Sequence, residues 1–153
     1  MAANVQAMCT SFKQDLLNGL HAFGTTVVRA ATTADSFKAA LYLAGSSIGA
    51  ATTAYSATGE VSGTGYTAGG VAVTFGTAPS TSGTSAIVTP SASIVYTGVT
   101  LATSFDTVLI YNNSAAGKNA VSAHTFGAQT ITAGTLTLTM PTNAVGTALI
   151  EID

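Results

Sequence analysis

Gly45-Ser46-Ser47-Ile48-Gly49 is a literal G-x-S-x-G, and Asp106 and His124 follow it in the Ser, Asp, His order of the α/β-hydrolases. In that chemistry a strained turn presents the serine, the histidine takes its proton, and the carboxylate orients the histidine. The turn needs a helix directly after the serine, yet Ala50 to Tyr55 runs on to Gly59 without a helical period. A chain this rich in Ser and Gly yields the pattern by composition, so no enzymatic activity is expected. Gly63-Thr64-Gly65-Tyr66-Thr67-Ala68-Gly69 comes near a dinucleotide fingerprint. It holds one residue too many between its second and third glycines and precedes a strand, which leaves no helix N-terminus for a phosphate.

The other reactive side chains are dispersed. Asp15, Asp35, Glu60, Asp106, Glu151 and Asp153 lie far apart with no His or Cys cluster among them, so neither a metal site nor a cofactor is expected. Cys9, the single cysteine, sits beside Met8 and reads as a packed thiol. It permits no intrachain disulfide, which is compatible with synthesis in a reducing cytoplasm. His124, in a strand between Ser122 and Phe126, reads as a hydrogen-bonded structural residue. Asn112-Asn113-Ser114 matches a glycosylation acceptor, but no secretory signal is expected because Lys13 and Asp15 interrupt the first segment.

Charge is scarce everywhere. Charged residues make up 7% of the 153, against 47% hydrophobic, and between Lys38 and Asp106 only Glu60 carries a charge. A free globule normally keeps a surface of mixed charge, so much of this neutral, hydroxyl-rich surface is expected to be covered by other protein. With Lys13, Arg29, Lys38 and Lys118 scattered and a formal net charge of -2, no basic stripe exists to engage nucleic acid. No apolar run reaches the length of a membrane-spanning helix, and no membrane partner is expected.

Val5, Met8, Phe12, Leu16, Leu20 and Phe23 recur every three or four positions, with Asn4 placed to cap and Gly24 to terminate, which predicts one helix over 5–23. Residues 1–24 then form an N-terminal helix or arm, and 25–153 a β domain within a single folded unit. After Gly24 the period changes to 2 and β-branched residues dominate. Strands are predicted over 26–30, 36–43, 71–75, 84–89, 93–97, 106–111, 120–126, 135–140 and 147–152. Nine short strands without room for crossover helices predict a mainly β fold, an antiparallel β-sandwich of jelly-roll type.

Residues 44–70 form the one long connection, rich in glycine and nearly uncharged, a length that usually marks function. Assembly contacts are expected on it, at Tyr55, Glu60, Thr64 and Tyr66, and on the hydroxyl faces of the strands.

Several blocks in order, Met8-Cys9-Thr10-Ser11-Phe12-Lys13, Asp35-Ser36-Phe37-Lys38-Ala39-Ala40-Leu41-Tyr42, Thr53-Ala54-Tyr55-Ser56-Ala57-Thr58-Gly59-Glu60-Val61, Gly65-Tyr66-Thr67-Ala68-Gly69-Gly70 and Leu109-Ile110-Tyr111-Asn112, carry a resemblance. The chain resembles a family of small structural proteins encoded among the head and tail genes of tailed bacteriophages. The resemblance implies a virion component without catalysis, a capsid decoration or cement protein on the outside of an icosahedral head. The expected partners are the major capsid protein and further copies of the chain, as dimer or trimer, after synthesis in the host cytoplasm. The alternative is a tail-associated or head-fibre module that reads a surface glycan or receptor.

Overall fold

Eight strands, all paired antiparallel, carry the fold in a computed structural model that describes residues 4–9, 12, 16, 20–25, 33–82 and 85–152. They are β1 (Ala7–Met8), β2 (Phe37–Leu43), β3 (Val71–Val73), β4 (Ser80–Ser82), β5 (Ser85–Val88), β6 (Ile94–Asn112), β7 (Ala120–Leu138) and β8 (Ile150–Ile152). A five-stranded sheet has the order β1-β7-β6-β2-β3, and a three-stranded sheet the order β4-β5-β8. The protein is mainly β, as its β-branched composition predicts.

The helix predicted over 5–23 does not extend over 5–9 or 20–23, and no helix is among the named elements, although Phe12 and Leu16 are helical. Within 10–19 only Phe12 and Leu16 are described. Apolar spacing alone satisfied a helical period, but the backbone of 5–9 finds its partners elsewhere. Ala7 and Met8 pair with Ala123 and Ser122 of β7, Val5 N donates to Ile48 O at 3.1 Å, and Cys9 N donates to Val121 O at 3.4 Å. Asn4, expected to cap a helix, ties this arm to the body instead. Its amide donates to Asp106 Oδ1 at 2.8 Å, and its Oδ1 accepts from Ile48 N at 2.9 Å.

Of the nine predicted strands, 26–30 lies outside the described residues, and four others prove to be the ends of two. Segments 93–97 and 106–111 belong to β6, while 120–126 and most of 135–140 belong to β7. Their Gly- and Thr-rich middles look like turns in the sequence, yet the ladder continues through them as a series of register shifts between Tyr96 and Thr107. Gly98 and Ala133 take φ of 65° and 46° along this stretch, and Ala133 N is held by Thr100 Oγ1 at 3.0 Å. The ribbon closes at Asn112, whose fully buried amide accepts from Ser114 N and Ala115 N and shapes the turn. The sequence's glycosylation acceptor is therefore inside the protein.

One buried cluster draws on both sheets. It joins Leu41 and Phe105 of the larger to Val88 and Ile150 of the smaller. At one end Phe23 stacks on Phe37 with ring centroids 4.9 Å apart, and Phe75 meets both edge-on at 5.0 Å. Gly24 beside them has φ 78° and lies so close to Ala78 that a Cβ would sit 2.4 Å from its Cα, so no other residue fits.

Candidate functional site

The long segment 44–70 is held to the sheet by tyrosines and by the one carboxylate it contains. β3 pairs only with Phe37, Lys38 and Ala39, which would leave the rest of β2 an open edge. Residues 59–61 take over that edge: Gly59 O accepts from Leu43 N at 2.9 Å, and Val61 N donates to Leu41 O at 3.0 Å. Leu41 N donates to the Tyr66 hydroxyl at 3.1 Å. Buried backbone groups need such partners, and the segment supplies them where the strand ends.

Glu60 organises the rest. Its Oε2 accepts from the Tyr55 hydroxyl at 2.6 Å, and its Oε1 accepts from the Tyr66 hydroxyl and from Gly69 N, both at 2.7 Å. Tyr55 stacks on Tyr111 at 4.8 Å, and Tyr66 on Tyr96 at 6.0 Å. The remaining hydroxyls end on backbone carbonyls: Tyr42 on Ser56 at 2.6 Å, Tyr111 on Gly69 at 2.8 Å and Tyr96 on Ala39 at 2.8 Å. All five tyrosines of the chain are thus committed inside this one assembly.

This environment favours the neutral phenols. Burial pushes the Tyr42 hydroxyl up to about 12, with the Glu60 charge adding to it. Tyr66 and Tyr55 are raised further, first by burial and then by the hydrogen bond each gives to Glu60, and burial raises Tyr96 and Tyr111 as well.

Of the four residues expected to make assembly contacts, the fold brings Tyr55, Glu60 and Tyr66 together as a half-buried cluster and leaves Thr64 apart and exposed. Thr64 O accepts from Thr100 N at 2.8 Å, which fixes the backbone while its side chain faces outward. The exposed crest consists of residues 56–58, 62–65 and 67–68, all Ser, Thr, Gly or Ala. Sequence reasoning missed the inward role of Glu60, although a single carboxylate flanked by Tyr55 and Tyr66 in an otherwise uncharged segment was its available signal.

The hydrolase-like residues do not converge. Ser47 is exposed and is followed by a turn over 49–51. Asp106 Oδ1 accepts from Asn4 and from Thr107 Oγ1 at 2.7 Å, while His124 Nε2 lies 2.9 Å from Ser122 Oγ. Ser122 is 2% exposed and has no access for a substrate. Burial raises the Cys9 thiol to about 11, so it is protonated at neutral pH and a poor nucleophile. Among the described residues no three metal-ligating side chains gather, and no helix is long and apolar enough to cross a membrane.

Compared with protein-family models, curated proteins and solved structures, the chain matches none.

Proposed function

We propose that this chain is a structural virion protein, a decoration or cement protein that binds the outside of an icosahedral phage head as a homo-oligomer in contact with the major capsid protein. The observation that carries the reading is the direction of Glu60. The one charge between Lys38 and Asp106 is consumed internally, and the crest outside it is neutral and pinned in place. A rigid neutral surface suits wide contact with other protein, because it needs little ordering on binding and strands no charge. The family resemblance of the sequence blocks points the same way. A β-sandwich of jelly-roll type is the corresponding architecture, supported by the single core cluster shared between the two antiparallel sheets.

The test places a charge on the crest. Thr64→Asp keeps the backbone bond to Thr100 and should leave the isolated protein folded, while its occupancy on shells of the major capsid protein falls at least tenfold in co-sedimentation. Full loading of a folded Thr64→Asp variant would remove the crest as the assembly surface and favour the receptor-binding module.

A further inference from the structure

The β6–β7 ribbon curls back on itself, so that Ile94 at the start of β6 and Val108 and Ile110 near its end line one cavity of about 450 Å³. That volume lies within the roughly 300–1,000 Å³ range of small-molecule sites. Leu138, Met140 and Leu149 extend the apolar wall, and among the described residues no charged side chain lines it. Its polar lining consists of Gln6, four threonines and the ring of His124.

The proton on that ring can be placed. The Ser122 hydroxyl is buried, and its one hydrogen-bond partner among the described residues is His124 Nε2. A buried hydroxyl proton needs an acceptor, so Ser122 donates, Nε2 accepts, and the neutral imidazole carries its proton on Nδ1. No described residue accepts from Nδ1, so the ring brings an unused donor to a cavity whose wall combines aliphatic side chains with Gln6 and four threonines.

We infer that this cavity binds a neutral, elongated apolar molecule bearing one hydrogen-bond acceptor of carbonyl type. The apolar body packs against Ile94, Val108, Ile110 and Met140, and the acceptor takes the proton of His124 Nδ1. A charged ligand is disfavoured because none of the described residues of the wall carries an opposite charge to offset its desolvation. A bare hydrocarbon leaves the donor unpaired, the condition under which a site discriminates most strongly.

Octan-2-one is a suitable probe, titrated into the isotope-labelled full chain, so the result is independent of the virion reading. Saturable shifts are expected at the His124 ring and at the methyls of Ile94, Val108 and Met140, and the ring nitrogen spectrum should report the proton on Nδ1. Octylammonium should bind at least tenfold more weakly, and His124→Leu should weaken octan-2-one by about tenfold, the loss of one hydrogen bond. Ala148→Trp fills the cavity and should abolish the shifts; if it does not fold, Met140→Phe serves the same purpose. Non-saturating shifts, binding undiminished in the filled variant, or a ring proton found on Nε2 would each overturn the assignment.

Discussion

Glu60 is the residue on which the long segment depends. Its carboxylate accepts from two tyrosine hydroxyls and one backbone amide, and hydrogen bonds to a charged acceptor are stronger than neutral ones. Glu60→Ala strands those three donors together, so a loss of about 2–3 kcal/mol is expected from the urea unfolding midpoint. Thr64→Ala, by contrast, should change stability by less than about 0.5 kcal/mol, because its side chain is exposed. The tyrosines add a pH dependence. A phenol whose pKa is higher in the folded than in the unfolded chain contributes its full stabilisation below pH 10 and loses it as pH rises toward the folded value. For Tyr42 that window runs from 10.0 to about 12, and Tyr66 and Tyr96 are raised further, first of all by burial. Stability should therefore fall above pH 10 by about 1.4 kcal/mol per pH unit for each buried tyrosine that stays protonated in the fold. A denaturation midpoint flat between pH 10 and 12 would contradict this.

At the scale of elements, segment 44–70 is less a loop than a cover that completes the edge of β2, and its close backbone contacts depend on glycine. Gly70 has φ 74°, and a Cβ there would lie 1.6 Å from Ala39 O. Gly70→Ala should cost more than about 3 kcal/mol or prevent folding, since backbone strain and overpacking act together. Gly127, on the exposed middle of β7, has open space within 4 Å of where a Cβ would stand and no positive φ, so Gly127→Ala should be close to neutral by the same urea midpoint. The strands that alternate or run apolar were legible: 36–43 and 84–89 match β2 and β5 to within a residue or so. The arm was not, because Val5 and Met8 satisfy a helical period while only the open edge of β7 decides that Ala7 and Met8 pair with it. Nor were the full lengths of β6 and β7, since Gly98, Gly127 and Gly134 look like turns until register shifts absorb them. The cluster around Glu60 hid for a related reason: Tyr96 and Tyr111 join it across the sheet, which no local spacing reveals.

At the scale of the whole molecule, the distribution of charge separates the proposed assembly from an electrostatic one. No Asp, Glu, Lys or Arg occurs from Asn119 to Ile150, so β7 and the segment after it expose mainly Thr, Ala and Gly. Interfaces made from such surfaces have few ion pairs to screen, and their strength rests on packing and hydrogen bonds. Raising salt from 50 mM to 500 mM shortens the Debye length from roughly 14 Å to about 4 Å, a change that weakens charge-steered binding but leaves neutral contacts nearly untouched. Binding to capsid shells should therefore change by less than about threefold over that range, measured by co-sedimentation at fixed shell concentration. The same particles should carry the protein in hundreds of copies by quantitative mass spectrometry, as a shell-covering protein requires. A loss of tenfold or more with salt, together with only a few copies per particle, would place the contact on the chain's scattered charges and move the protein from the head surface to a tail-associated role.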